Sequence, residues 1–150
     1  MGEDPLDSEA VEALREGFRG AVLRPGEAGY DEARTIWNAM IDRKPGVIAQ
    51  CEGTADVISA VDFAREHDLL VSVKGGGHNV AGNAVCDDGI VIDCSPMNSV
   101  RVDPYETTAR VGPGATLAEF DHEAQAFGLA TPVGYNSTTG VAGLTLGGGF

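Results

Sequence analysis

Cysteine is scarce. Three occur, Cys51, Cys86 and Cys94, an odd number with no C-x-x-C spacing. That argues against a disulfide framework and against a cysteine-built metal site, and the expected compartment is the reducing cytoplasm. Cationic residues are few as well: 10 Lys and Arg against 23 Asp and Glu leave a formal net charge of −13. Residues 1–68 hold 15 acidic and 7 basic residues and residues 69–150 hold 8 and 3, so the excess is spread along the chain. Such a surface repels phosphate backbones, and nucleic acid is not an expected partner. It suits either a well-hydrated acidic protein or one adapted to high salt, where screening relieves self-repulsion. No apolar run approaches the roughly 20 residues that cross a bilayer, so no membrane is expected. The opening MGEDPLDSEA is acidic, shows no secretory-type apolar stretch, and has Leu6 where a myristoylation signal needs Ser or Thr.

What is present is an ordinary globular composition with 21 glycines. The length suits one domain with a real core. Val11, Leu14 and Phe18 recur at helical spacing over residues 8–18, with Ser8 as a candidate N-cap. RPGEAGYD reads as a loop. A second helix is expected from Asp31, with Ile36, Trp37, Met40 and Ile41 on its apolar face and DRKPG as its stop. GVIAQ (46–50) and LLVSV (69–73) read as strands. Between them, Thr54 caps a helix that carries Val57, Ile58, Val61 and Ala64 on one face. This is a βαβ unit, parallel and right-handed by the usual rule. GIVID (89–93) is a further strand, and SVRVDPYETTARV a hairpin about Asp103-Pro104. Thr116 and Glu119 form a capping box for a helix burying Leu117, Phe120, Ala124 and Phe127, ended by Gly128.

LVSVKGGGHNVAG places three glycines and a histidine at a strand's C-terminal end, where open α/β sheets commonly hold ligands. The run lacks the G-K-[ST] of a P-loop. It also lacks the G-x-G-x-x-G of a nicotinamide site, because position 80 is Val. Successive unobstructed N–H groups can still form a concave anion nest. A second candidate lies at Ser137-Thr138-Thr139-Gly140, with Gly143 following. Two phosphate-type loops about 60 residues apart suggest a dinucleotide held between them, against the simpler reading of two tight turns. His78 is the titratable group of the first loop, either a hydrogen-bonding loop histidine or a nucleophile. His67 and His122 are expected on the surface, and no metal set is visible.

VSVKGGGHNVAGNAVCDDGIVIDCSPMNSVRVD, ARVGPGAT and GLATPVGYNSTTGVAGLTLGGG together resemble the FAD-linked oxidases with a PCMH-type, vanillyl-alcohol-oxidase-like FAD-binding domain. Within that family they look most like the berberine-bridge-enzyme-like branch. The resemblance implies an α+β domain of two α/β subdomains with FAD between them. It covers residues 30–150, leaving 1–29 as a helical extension. LGGG followed at once by Phe150 suggests a domain incomplete at its C-terminus, with the remainder and the substrate domain absent. Gly75, Gly76, Gly77, His78, Asn79 and the adjacent Val80 match the pyrophosphate loop. His78 matches the histidine that many members bond to the flavin 8α-methyl, a link that retains the cofactor and raises its potential. Pro132, Gly134, Asn136, Ser137, Thr138, Gly140, Val141 and Gly143 match the second FAD loop, and Gly147, Gly148 and Gly149 the run after it. Bicovalent members carry a cysteine where this chain has Asn136, so a single covalent link is implied. Lys74 stands where many relatives have Arg, beside a diphosphate or simply solvated. The implied function is a flavin-dependent oxidoreductase with a small-molecule electron donor and O₂ or another acceptor. No residue names the substrate or the catalytic base. A truncated, non-catalytic flavin-binding remnant and a non-covalent FAD reductase of the same fold remain as alternatives.

Overall fold

The computed structural model describes residues 6–149; the opening five residues and Phe150 lie outside the described residues. Its elements are α1 (Ser8–Glu16), β1 (Ala21–Leu23), α2 (Tyr30–Ala33), β2 (Val47–Gln50), α3 (Thr54–Glu66), β3 (Val71–Lys74), β4 (Ile90–Asp93), β5 (Val100–Asp103), β6 (Thr108–Val111), α4 (Leu117–Gln125) and α5 (Val141–Gly147). The fold is α+β. One sheet has the order β1-β2-β4-β3, with β2, β4 and β3 parallel and β1 antiparallel at the edge. A separate antiparallel hairpin pairs β5 with β6, and α4 packs on β5.

Central β4, IVID, is buried along its whole length, as a parallel strand covered on both faces should be. β2 and β3 do run parallel, but β4 lies between them, so the expected βαβ unit spans a gap that a later strand fills. One face of the sheet meets α1 and α3 through Val11, Leu14, Ala60, Phe63 and Ala64. The other face carries Ile48 and Val91 against Tyr30, Ile36 and Val85. The boundary drawn at residue 29 does not coincide with a break in this core. Leu6, Val11, Leu14 and Val22 share it with Val47, Ile90 and Ile92.

Several expectations need correction. The N-cap of α1 is Asp7, whose carboxylate accepts from the Glu9 N–H; Ser8 is already helical. β1, which no reading of the sequence anticipated, supplies the sheet edge. α3 begins on Gly53 without a side-chain cap, and its buried face is rotated: Ile58 and Val61 are 57% and 45% exposed, while Asp56, Ala60, Phe63 and Ala64 face inward. The cause is Asp56. Its buried carboxylate accepts the backbone N–H groups of Arg19 (3.1 Å) and Glu52 (2.9 Å), and also that of Gly20. That anchor turns the i, i+4, i+7, i+8 set to the core. Phe127 lies past the end of α4 and is 50% exposed.

Asp56 yields a stability prediction. Burial works against its ionised form, but the three N–H donors outweigh it and hold the carboxyl below its ordinary range. Asp56→Ala should cost about 3 kcal/mol, because it leaves three backbone donors without their acceptor and empties a buried side-chain site. Urea unfolding measures this. The folded pKa lies below the unfolded value of about 3.9. The contribution is therefore full above that pH and is lost as pH falls through the folded value. Asp56→Asn should remove this part of the acid dependence.

Candidate functional site

The site forms where the C-terminal ends of the parallel strands meet the loop ahead of α5. Gln50, Asp93 and Lys74 end β2, β4 and β3 in one register row. The buried Asp93 carboxylate accepts from Gln50 Nε2 (3.2 Å) and from the Ser95 N–H and hydroxyl, and Lys74 Nζ stands 3.8 Å away. Lys74 also donates to the Ala33 carbonyl at 2.6 Å. It is thus neither solvated nor free beside a diphosphate; it ties the strand end to α2.

The triglycine follows directly. A Cβ on Gly75 would stand 2.7 Å from the Pro113 carbonyl oxygen, and one on Gly76 would stand 2.3 Å from the Gly140 nitrogen. Reciprocally, a Cβ on Gly140 would lie 2.5 Å from the Gly76 nitrogen. The two glycine loops touch backbone to backbone, so glycine is required first for the loops to meet. Gly77 has φ +68°, the left-handed region that a Cβ disfavours, and packs over Ile36. The N–H groups of Gly76, Gly77, His78 and Asn79 donate to no group among the described residues. Successive unpaired donors of this kind suit an anion.

Residues 34–41 are not the expected helix. α2 stops at Ala33, Ile36 is buried, and Trp37 and Met40 are 57% and 91% exposed. The backbone leaves the helix for tertiary partners. The Trp37 N–H donates to the Gly77 carbonyl (3.1 Å), and Asn38 Nδ2 donates to the Val80 carbonyl (2.9 Å). Asn38 Oδ1 also takes the Met40 N–H, the kind of local bond that competes with helix. This exchange puts the indole of Trp37 on His78, with ring centroids 5.3 Å apart and planes 23° apart. On its other side, His78 Nε2 meets Thr138 Oγ1 at 2.9 Å. Thr138 in turn bonds Asn136 Oδ1 through its hydroxyl (2.9 Å) and its N–H (3.2 Å). His78 therefore joins the two loops. The sequence missed Trp37; the one signal available was a lone tryptophan beside a helix-breaking asparagine.

A cleft of about 740 Å³ opens between the loops, within the range of small-molecule sites. Gly75, Gly76, Gly77, His78, Asn79 and Val80 form one wall, and Gly140, Gly143, Gly147 and Gly148 the other. A Cβ at Gly143 or Gly147 would meet nothing within 4 Å, so packing within the chain does not demand glycine there. The other residues matched to the second loop stand back from the cleft. Pro132 and Val141 line a separate groove against β5, β6 and α4. Gly134 sits on Leu117 and Leu144, the Ser137 carbonyl accepts the Ala118 N–H, the Asn136 carbonyl accepts the Thr139 N–H, and the Asn136 side chain bonds Thr138. Gly149 lies against Leu144. Cys94 faces the cleft, but burial pushes its thiol up, as it pushes Cys51 up to about 12. A neutral thiol is a poor nucleophile. All three cysteines are free and buried. His67 and His122 are on the surface, as expected. No helix among the described residues is long and apolar enough to cross a membrane.

Comparison with known proteins identifies the family. The family model described as an FAD binding domain matches residues 45–150. The (R)-6-hydroxynicotine oxidase of Paenarthrobacter nicotinovorans is 38% identical over 132 residues, covering 88% of this chain and 29% of that protein. The crystal structure of 6-hydroxy-D-nicotine oxidase from Arthrobacter nicotinovorans superposes with a TM-score of 0.82 at 37% identity, covering 85% of this chain and 28% of that one. Physcomitrella patens BBE-like 1 gives a TM-score of 0.84 at 26% identity, over 94% and 31%. The chain thus spans under a third of the length of these relatives. Matched over most of its length by the FAD binding domain model and by FAD-linked relatives, the chain has FAD as its cofactor and belongs to the FAD binding domain family of the FAD-linked oxidoreductases.

Proposed function

We propose that the chain is the cofactor-holding part of a flavin-dependent oxidase or dehydrogenase, with FAD in the cleft between the two glycine loops and one covalent link through His78. The observation that supports this reading is the backbone contact of Gly76 with Gly140 beside a cleft lined by residues 76–79, whose N–H groups have no partner among the described residues. With Lys74 turned to Ala33 and Asp93, diphosphate charge is met by backbone dipoles rather than by that cation. The FAD-binding portion in this reading is residues 30–150, with β1 completing its sheet and α1 packed on one face of that sheet.

FAD, when bound, supplies the two-electron acceptor for a small-molecule donor such as an alcohol, a sugar or an amine, and O₂ or another acceptor removes the electrons. The chain's own part is to bind, orient and retain it. Gly76 to Asn79 donate to phosphate oxygens, Gly143 and Gly147 let α5 approach closely, and Trp37 and Thr138 hold His78 in place. His78 would hold FAD through one imidazole nitrogen bonded to the flavin 8α-carbon in place of a C–H bond, with the proton passing to water and the electron pair to the same acceptor. With Asn136 at the position of the second link, one bond is the limit. A non-covalent reading, in which His78 only hydrogen-bonds, draws on its contact with Thr138.

Gly143 tests the cleft. Alanine is favoured over glycine in a helix by about 0.5–1 kcal/mol, and a methyl here meets no atom of the chain. Gly143→Ala should therefore raise the stability of the FAD-free chain while weakening FAD binding about tenfold, or about 1.4 kcal/mol. Thermal unfolding and titration of FAD against the single tryptophan's fluorescence read the two effects. Unchanged affinity would place FAD elsewhere.

A further inference from the structure

The hydrogen bonds around His78 fix more than its position. Asn136 Oδ1 accepts the backbone N–H of Thr138 at 3.2 Å, which identifies that atom as the amide oxygen, an acceptor only. The Thr138 hydroxyl lies 2.9 Å from the same oxygen and must donate to it. A hydroxyl has one hydrogen, and this bond uses it. The 2.9 Å contact between Thr138 Oγ1 and His78 Nε2 is then possible only with the imidazole as donor. In the neutral ring, Nε2 carries the hydrogen and Nδ1 carries the lone pair. Nδ1 has no hydrogen-bond partner among the described residues, and Trp37 stacked on the ring opposes a flip that would move the nitrogens.

We infer that Asn136 and Thr138 are positioning residues that set the tautomer of His78, keeping Nε2–H and leaving Nδ1 as the nitrogen free to form a bond. Asn136 thereby has a use of its own, although it never reaches the cleft. The tautomer follows from geometry alone. Its consequence for the flavin rests on the reading of His78 given above: the N–C bond forms at Nδ1 as the 8α C–H bond breaks, with proton and electrons leaving as described there.

The test is nitrogen-15 NMR of the 150-residue chain labelled at histidine and prepared without FAD, at a pH where the imidazole is neutral. The His78 signals are identified by their loss in His78→Gln. The expected result is a protonated-type Nε2 and a bare-type Nδ1. Asn136→Ala frees the threonine hydrogen and should shift the ratio toward Nδ1–H. Thr138→Val should give a mixture, and Thr138→Ser should restore the wild-type pattern. A merely structural role would not move the tautomer ratio. Nδ1–H in the wild type, or the same pattern in Asn136→Ala, overturns the inference; if Thr138→Val does not fold, Asn136→Ala and Thr138→Ser decide it. In flavin-loaded chain the linked nitrogen should be Nδ1, and a link at Nε2 would refute it. Absence of any covalent flavin instead counts against the attachment reading and leaves the tautomer measurement standing.

Discussion

His78→Ala should lose all acid-stable flavin while still binding FAD reversibly. The two halves of this expectation come from different atoms. Attachment needs the imidazole, and the other histidines, His67 and His122, are on the surface away from the cleft. Cys94 does face the cleft, but its burial keeps the thiol neutral and unreactive. Phosphate binding, in the proposed reading, would use the backbone donors of residues 76–79, which alanine at 78 leaves in place. Affinity should fall by less than about tenfold, roughly 1.4 kcal/mol. The measurement is flavin fluorescence of the denatured, acid-treated band on a gel, paired with FAD titration of the native variant. A fluorescent band in His78→Ala would move the link to another residue. No band in the wild type would favour the non-covalent reading. The remaining reversible binding separates loss of the bond from loss of the fold.

Gly76→Ala should be the most damaging single methyl in the cleft. Its Cβ would stand 2.3 Å from the Gly140 nitrogen and 2.6 Å from the Gly140 α-carbon, against backbone that cannot rotate away as a side chain could. The loops must separate, at a cost of about 3 kcal/mol. Separation also stretches the bond between His78 and Thr138, which joins the same loops. FAD affinity should drop about 100-fold or more, equivalent to roughly 2.7 kcal/mol. Gly140→Ala should behave alike, since its Cβ meets the Gly76 nitrogen at 2.5 Å. The double variant should cost less than the sum, because either methyl alone already parts the loops. Gly143→Ala is the contrast, a methyl in the same cleft that meets no chain atom. Equal effects at positions 76 and 143 would mean that the damage lies in cofactor contact rather than in loop contact.

These cases show how the site was only half legible in the sequence. The triglycine at a strand end, the Thr116–Glu119 capping box and the hairpin about Asp103-Pro104 were readable because each is governed by residues within a few positions of one another. The three glycines were rightly singled out, but the reason given for them, approach to phosphate, omitted the approach of one loop to the other. Lys74 read as either solvated or beside a diphosphate because its partners, Ala33 and Asp93, are 41 and 19 positions away. Ile36, Trp37, Met40 and Ile41 had helical spacing, yet the Gly77 carbonyl took the Trp37 N–H, and the Asn38 side chain took the Met40 N–H while donating to Val80. α3 was correctly placed and wrongly turned, since apolar spacing could not reveal that a carboxylate would anchor its buried face.

By itself the sequence determined the elements whose causes are local, the acidic surface, and, through motifs held in register over residues 30–150, an FAD domain with His78 in its first loop. Tertiary structure decided what crosses the chain: the insertion of β4 between β2 and β3, the turn of α3 onto Asp56, the stacking of Trp37 on His78, and the Asn136–Thr138–His78 chain of hydrogen bonds. The physical reason is the same in each case. Periodicity and capping depend on neighbours a turn or two away, whereas a buried donor, acceptor or close backbone contact depends on whichever distant segment arrives to meet it.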